Sequence, residues 1–434
     1  MTQSIELAIR TDRTLLRATA RSTRYLHLTL AAPVTPPRDM SDAPPRRPIN
    51  VGLVLDRSGS MDGENKFPLA VQAVEQSLRL LQPQDRFTLV VYDNVVDTIM
   101  SNVLATPDAK RVAMQRLREI EPRGGTDLYA GWMTAATQML EQLSRDAVNR
   151  VLLLTDGLAN VGLTEPSALV SAAEGLRGRG IATTTFGVGD DFDERLLRDL
   201  AHTGGGQFYF VDAPAQIPEM LTSELGEALD VVRRSAALQL VLPPGAEAEL
   251  LNRYRTTYAA GDHELRVELG DLTSGQDITL VVRLTFPEAL VGSTTSVRVA
   301  IAGADALASE AEGALSWTYA DHAANDAQPR LVTVDREVAT LYAARARAEA
   351  TEANRQGDYR TAKRVLQGTA RRIKSYANGD PAMDAIWRAL LAEVAMYAER
   401  VMSPKEMKMS FFAAEAQSSN RDPQGKARRK GTAK

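Results

Sequence analysis

An apolar stretch that ends in a carboxylate and two hydroxyls is the feature that most narrows the possible folds of this chain. The run 51–55 reads Val-Gly-Leu-Val-Leu, and Asp56-Arg57-Ser58-Gly59-Ser60 follows it directly. An apolar run bounded by turn residues is typical of a buried strand in a parallel sheet. The loop after this strand then presents one carboxylate and two hydroxyls within five residues. Such hard oxygen ligands are the type that Mg²⁺ prefers.

Two later segments extend this pattern. Thr126 follows two glycines in a predicted loop that precedes a helix, and 151–155 is a second apolar strand that ends in Asp156. In an open parallel sheet, ligand sites form beyond the carboxyl ends of the strands. We therefore expect Asp56 and Asp156 to lie at the same edge of the sheet, with Thr126 close enough to reach them.

The combined set resembles the metal-ion-dependent adhesion site (MIDAS) of von Willebrand factor type A (VWA) domains, whose pattern is Asp-x-Ser-x-Ser, then Thr, then Asp. All five positions are present, as Asp56, Ser58, Ser60, Thr126 and Asp156. The resemblance runs from about residue 48 to residue 232. It implies that the serines bind Mg²⁺ or Mn²⁺ directly, that the threonine binds directly or through water, and that the aspartates act mostly through bound waters. It also implies an open coordination position, which an Asp or Glu of a protein partner fills.

Neutral hydroxyls around the ion would make such a site attract an acidic ligand. Mg²⁺ keeps several waters in near-ideal octahedral geometry, and hydroxyl ligands leave it short of negative charge. The same residues also allow two alternatives. The aspartates could be helix caps at the strand ends and the hydroxyls ordinary turn residues, or the domain could have the fold without binding a metal. Caps, however, do not account for matching residues in three separate segments.

Composition restricts the class of protein. A length of 434 residues predicts two to four domains, and 44% hydrophobic with 24% charged residues is ordinary for a globular chain. The net charge of −4 gives no general attraction to nucleic acid, and the lack of cysteine excludes disulfides and thiolate chemistry. The first residues show no signal-peptide pattern, and no apolar run approaches about 18–20 residues, so we expect a cytoplasmic protein without a membrane span.

The periodicity of apolar residues predicts the fold class: α/β, with a doubly wound and mostly parallel sheet inserted in or followed by an antiparallel β-sandwich, and a C-terminal α-helical module. The N-terminal strands are too few to be stable alone, so we expect them to join the sandwich. The predicted segments are 1–33 (N-terminal strands), 34–48 (Pro-rich linker), 49–232 (VWA domain), 235–320 (sandwich), 330–402 (helical module) and 403–434 (polar, basic tail).

The C-terminal third changes to helical periodicity. Breaks at 356–358 and 378–381 predict three helices within 330–402. The segment 357–362 resembles the turn of a single tetratricopeptide hairpin, and a simple three-helix cap is the other interpretation. Within 421–434, six basic residues accompany one aspartate, which predicts a disordered tail. A short docking helix around Phe411 and Phe412 is the alternative for the tail.

The lack of catalytic patterns predicts that the chain is not an enzyme. The four histidines fall in different segments, and the chain has no Gly-x-Ser-x-Gly elbow, phosphate-binding loop or dinucleotide-binding fingerprint. A metal held by Asp56 and Asp156 could serve hydrolysis, but we expect no nearby Lys, His or additional carboxylate to act as a base. Arg57 is expected to support the loop or to lie at the surface.

The favoured function is therefore divalent-cation-dependent protein–protein binding. The alternative is a structural or assembly scaffold, in which the metal only stabilises loops and the C-terminal helices recognise the partner; a metal-dependent hydrolase is a further alternative. The order of segments resembles that of bacterial cytoplasmic VWA proteins. That resemblance alone suggests an AAA+ ATPase or a phospho-signalling component as the partner.

Overall fold

The computed structural model describes residues 4–35, 46–259, 263–303 and 311–429. These residues divide into two compact units: 4–35 with 232–423 and 427–429, and 46–231 with 424–426. Most of the predicted Pro-rich linker lies outside the described residues.

The chain begins with three strands of the first unit. Their bounds are β1 (Glu6–Thr11), β2 (Leu15–Arg17) and β3 (Ser22–Ala31). β1 pairs antiparallel with β3 over its whole length, with Glu6 opposite Ala31. Residues of β3 alternate between inward-facing leucines and more polar positions, as expected for a strand with one face in a core.

The second unit is an α/β domain, which confirms the predicted fold class. Its strands are β4 (Ile49–Asp56), β5 (Arg86–Tyr92), β6 (Val96–Leu104), β7 (Val148–Thr155), β8 (Ala182–Val188) and β9 (Gly205–Val211). Within the described residues they form one sheet in the order β6-β5-β4-β7-β8-β9. Neighbouring strands are parallel except β5 and β6, which form an antiparallel hairpin.

Helices cover both faces of this sheet. They are α1 (Lys66–Leu80), α2 (Pro107–Arg118), α3 (Leu128–Leu140), α4 (Pro166–Gly178), α5 (Glu194–Gly204) and α6 (Ile217–Leu229), and 3₁₀ turns occupy Gly59–Asn65 and Pro214–Gln216. All eight residues of β4 are buried, as expected for a central parallel strand. A Cβ at Gly52 would lie 2.7 Å from the sulfur of Met139, so the glycine permits close packing of α3 on β4.

The remaining strands build the β-sandwich of the first unit. They are β10 (Val231–Val241), β11 (Glu247–Leu250), β12 (Arg255–Ala259), β13 (Glu264–Thr273), β14 (Asp277–Phe286), β15 (Thr294–Ala302) and β16 (Ala311–Ala320). One sheet has the order β1-β3-β14-β11 and the other β12-β13-β10-β15-β16-β2, counted over the described residues. Leu28 of β3 lies opposite Leu280 of β14, and both belong to a core shared with Leu240 and Val299 of the second sheet. The N-terminal strands and the strands after the α/β domain thus enclose one core.

Six helices follow the sandwich in the described part of the chain. They are α7 (His322–Ala327), α8 (Val332–Arg355), α9 (Tyr359–Ala377), α10 (Pro381–Ala392), α11 (Val394–Ala398) and α12 (Pro404–Ser418). The predicted breaks coincide with left-handed residues, Gly357 at φ +75° and Asn378 at φ +47°. Of the helices that the described residues form, none has the length and apolar character needed to cross a bilayer.

The prediction of a disordered tail from Ser403 is wrong for residues 404–418, which form α12. The Ser403 hydroxyl accepts from the Glu406 N–H, and the Glu406 carboxylate accepts from the Ser403 N–H at 2.8 Å, a complete capping box. Phe411 and Phe412 are buried, and the Ser410 hydroxyl hydrogen bonds with Thr351 and Tyr397. The helix therefore packs on the helical module. The polar average of the segment does not reveal its buried apolar residues.

Candidate metal site

Strand topology brings the two predicted carboxylates together. β4 and β7 are parallel neighbours. The chain adds β5 and β6 on the β4 side of this pair and β8 and β9 on the β7 side. Asp56 is the last residue of β4, and Asp156 directly follows β7. Both therefore lie at the carboxyl edge of the sheet beside its switch point, where ligand sites form in open α/β folds.

Direct hydrogen bonds link both carboxylates to the first loop. Ser60 Oγ donates to Asp156 Oδ1 at 2.6 Å, and the Ser58 and Ser60 hydroxyls lie 3.0 Å apart. Asp56 Oδ1 accepts from the Ser58 N–H at 2.7 Å, while its Oδ2 accepts from the Thr155 hydroxyl at 2.6 Å. Both carboxylates are fully buried.

The third segment reaches the same point. A Cβ placed on Gly157 would lie 3.5 Å from the Thr126 hydroxyl and 3.7 Å from the Ser60 hydroxyl. All five side chains predicted from the sequence, Asp56, Ser58, Ser60, Thr126 and Asp156, are therefore gathered around one spot at the sheet edge.

A capping role does not account for the two aspartates. The N-cap of α3 is Asp127, whose carboxylate accepts from the Ala130 N–H at 3.0 Å, and the N-cap of α4 is Glu165. Among the α-helices of the described residues, neither Asp56 nor Asp156 occupies an N-cap. Asp56 instead accepts from the Ser58 N–H and the Thr155 hydroxyl, and Asp156 accepts from the Ser60 hydroxyl.

Backbone hydrogen bonds hold the three loops against one another. The Gly59 N–H donates to the Gly124 carbonyl at 3.1 Å, and the Asn160 N–H donates to the Thr126 carbonyl at 3.2 Å. The Asn160 side chain accepts from the Thr126 N–H at 2.8 Å, and Asn94 accepts from the Gly125 N–H. Asn94 and Asn160 are not among the residues predicted from the sequence, where the only signal for them is that asparagine favours turns.

Arg57 is buried and supports the loops. Its guanidinium lies 3.3 Å from Asp93 Oδ2 and also pairs with Asp97. Burial raises the pKa of Asp93, but the hydrogen bonds from Arg123 and Val95 and the charge of Arg57 together hold that pKa below its ordinary value. Asp93 is thus a charged anchor for Arg57 rather than a group ready to accept a proton.

The structure corrects the expectation that no lysine lies near the site. Lys66 Nζ donates to Asp156 Oδ2 at 2.8 Å, and its side chain is only 12% exposed. Lys66 is the first residue of α1 and follows the 3₁₀ turn 59–65. No local sequence motif predicts this contact, because it depends on how the turn 59–65 folds back toward the sheet.

Burial dominates the electrostatics of Asp56. It raises the pKa of this carboxyl to about 6, although hydrogen bonds from Thr155 and Ser58 act in the opposite direction. A metal ligand must be deprotonated. The charged form that a metal requires therefore prevails above about pH 6.

The chemistry of the donors fits a hard divalent cation. The cluster offers two carboxylates and three hydroxyls, all oxygen ligands of the kind Mg²⁺ and Mn²⁺ accept. Over the described ranges, there is no group of three or more His, Asp or Glu arranged to hold a metal. The cluster of two aspartates and three hydroxyl residues is therefore our candidate metal site.

Comparison with known sequences agrees with this fold. Residues 50–223 match the sequence model of the von Willebrand factor type A domain. The chain is 26% identical over 243 residues to the uncharacterized protein YfbK of Escherichia coli, 25% over 291 residues to the uncharacterized protein sll0103 of Synechocystis, and 32% over 167 residues to human inter-alpha-trypsin inhibitor heavy chain H4. These matches cover 54%, 65% and 37% of this chain and 41%, 66% and 18% of the relatives, so the chain spans less than two thirds of each relative's length.

Two solved structures share the fold over nearly the whole chain. A von Willebrand factor type A from Catenulispora acidiphila has a TM-score of 0.73 at 16% identity, covering 95% of this chain and 96% of the other. The ArnB paralog VWA2 from Sulfolobus acidocaldarius has a TM-score of 0.59 at 16% identity, covering 96% and 99%. At such low identity the likeness concerns the fold alone. The family match identifies residues 50–223 of this chain as a von Willebrand factor type A domain, and the solved structures share its fold.

Proposed function

We propose that this protein binds a protein partner through Mg²⁺ or Mn²⁺ held at the MIDAS of its VWA domain, with an Asp or Glu of the partner completing the coordination. The supporting observation is the gathering of five oxygen-bearing side chains beside the switch point of the sheet, where hydrogen bonds join the loop of Ser58 and Ser60 to both carboxylates. VWA domains commonly mediate protein–protein interaction and often bind a metal ion at this motif.

The residues of the cluster have distinct tasks in this proposal. The hydroxyls of Ser58, Ser60 and Thr126 would contact the ion, and the carboxylates of Asp56 and Asp156 would supply negative charge and hold waters. When bound, the ion supplies a positively charged coordination position for an oxygen ligand. The Ser58 N–H donates to Asp56 and the Ser60 hydroxyl donates to Asp156, so the loop that carries both serines already lies beside the carboxylates.

The surface around the cluster suggests what accompanies the partner's acidic residue. Leu158, two positions after Asp156, is 55% exposed, and Val95, in the loop that supports Gly125 through Asn94, is 53% exposed. We propose that the partner presents an apolar side chain beside its carboxylate. The resemblance of the segment order suggests a bacterial cytoplasmic setting, with an AAA+ ATPase or a phospho-signalling component as the partner.

The first test is titration calorimetry of Mg²⁺ and of Mn²⁺ into the chelator-stripped full chain. We expect one saturable site that Asp56→Ala abolishes. Asp97→Asn is the matched control, because Asp97 lies near the start of the neighbouring strand β6 and pairs with Arg57 but is outside the cluster. Its metal affinity should equal that of the wild type. Absence of saturable binding in the wild type, or equal binding in Asp56→Ala, would contradict the metal site.

The second test concerns the acidic partner. Displayed random peptides are selected on the protein in Mg²⁺ and again in chelator. Peptides recovered only with Mg²⁺ should share an Asp or Glu, and Ser60→Ala should lose them while its circular dichroism stays unchanged. The scaffold alternative predicts instead that Asp56→Ala lowers thermal stability while peptide capture continues through other surfaces.

A further inference from the structure

Lys66 places a positive charge inside the proposed metal site. Its ammonium donates to Asp156 Oδ2 at 2.8 Å, while Ser60 donates to Oδ1 of the same carboxylate at 2.6 Å. Asp156 is fully buried and Lys66 is 12% exposed, so solvent screens this pair weakly. Lys66 thus satisfies an oxygen of a carboxylate that the proposed function assigns to the metal.

The backbone in front of Lys66 adopts an unfavourable conformation to deliver this side chain. Glu64 has φ +54° and Asn65 has φ +58°, two consecutive residues with side chains in the left-handed region. The lysine then occupies the first position of α1, where a positive charge opposes the helix dipole. Such local strain persists only where the surroundings enforce it, and it concentrates at functional sites.

We propose that Lys66 is a built-in counter-cation, which neutralises Asp156 in the metal-free protein and weakens metal binding until an acidic ligand arrives. This inference rests on the proposed function. Asp56 and Asp156 contribute −2 and Lys66 contributes +1, so the empty site carries −1. With a divalent ion bound, the net charge of the site is then +1, whereas it would be zero without Lys66. A partner carboxylate restores neutrality, so metal and partner strengthen each other's binding, as linkage requires.

Charge variants at residue 66 test the proposal, with Mg²⁺ alone as the probe. Lys66→Gln removes the charge and Lys66→Arg keeps it. Lys110→Gln is the matched control, because Lys110 is a partly buried lysine of the same domain whose ammonium donates to the Leu81 carbonyl. Titration calorimetry of chelator-stripped full chains should show Lys66→Gln binding Mg²⁺ about tenfold more tightly than the wild type, about 1.4 kcal/mol. Lys66→Arg and Lys110→Gln should match the wild type.

Thermal unfolding supplies a second measurement. In chelator, Lys66→Gln should melt below the wild type, because Asp156 loses its positively charged partner. Saturating Mg²⁺ should raise the Tm of Lys66→Gln by more than it raises that of the wild type. Lys66→Met, neutral and of similar length, replaces Lys66→Gln if the latter does not fold.

The outcomes separate this inference from the proposed function. If the wild type binds Mg²⁺ and Lys66→Gln binds it equally or more weakly, or if Lys66→Arg tightens binding as much as Lys66→Gln does, the counter-cation role is wrong and the metal site stands. If only Lys66→Gln binds Mg²⁺, the counter-cation role stands and cation-dependent function of the wild type fails. If no variant binds, both fail.

Discussion

At the scale of single residues, His27 gives the sandwich a pH-dependent stability. It lies on β3 opposite Arg10 and Val281 and is 7% exposed. Burial, with a smaller contribution from the charge of Arg10, lowers the pKa of His27 from 6.5 to about 4. Between pH 6.5 and about pH 4, His27 takes up a proton in the unfolded chain but not in the folded chain. Stability from neutral His27 is therefore complete above pH 6.5 and is lost as the pH falls toward 4.

We expect the sandwich to lose about 2 kcal/mol between pH 7 and pH 4.5 through this residue, allowing for partial solvent screening. In urea denaturation followed by hydrogen exchange of β3 and β14 peptides, His27→Gln should lack this part of the pH dependence. His322→Gln alters an exposed histidine and should keep it. An unchanged pH dependence in His27→Gln would show that the buried ring does not control it.

The contrast between the five cluster residues and Lys66 shows what a sequence predicts at this scale. Carboxylates and hydroxyls directly after apolar strands can be located, because parallel strands end at a common edge. The approach of Lys66 to Asp156 depends on left-handed conformations at Glu64 and Asn65. Neither residue type requires that conformation, so the contact is specified only by the folded loop.

At the scale of secondary-structure elements, α12 depends on its first turn. Ser403, Pro404 and Glu406 form a capping box with proline at the first helical position. The signal was present in the sequence, but the basic composition of the last residues favoured a disordered tail. Burial of Phe411 and Phe412 stabilises the helix, although most of the segment is polar.

We predict that Ser403→Ala lowers the stability of α12 by about 1 kcal/mol, because it removes the cap of the Glu406 N–H. The measurement is hydrogen exchange of the 404–418 peptides by mass spectrometry, which should become faster. Ser419→Ala, at the opposite end of the helix, is the matched control and should leave the exchange within about 0.5 kcal/mol of the wild type. Equal acceleration in both variants would indicate that the N-terminal cap is not the source of stability.

At the scale of the whole molecule, the chain leaves the sandwich after β3 and returns to it at β10. Period-2 patterns on both sides of the α/β domain predicted strands, and the alternation of strands and helices between them predicted the parallel sheet. The pairing partners could not be predicted, because the α/β domain and four sandwich strands separate β3 from β14 along the chain. Register over that distance is set by packing in the shared core and by no local signal.

Removing residues 1–33 should therefore unfold the sandwich. β3 lies between β1 and β14, and it pairs with β14 over ten consecutive positions, from Ser22 opposite Phe286 to Ala31 opposite Asp277. Without it, the inward-facing Ile278, Leu280 and Val282 lose their respective neighbours Leu30, Leu28 and Leu26, and β14 gains an unpaired edge. The truncated chain should lose hydrogen-exchange protection throughout 264–302, while protection of β4 and β7 in the α/β unit persists.

Leu290→Ala, at a residue 83% exposed in the loop after β14, is the matched control and should leave both regions protected. Retained protection of β14 in the truncated chain would mean that β10 to β16 form a stable sandwich by themselves.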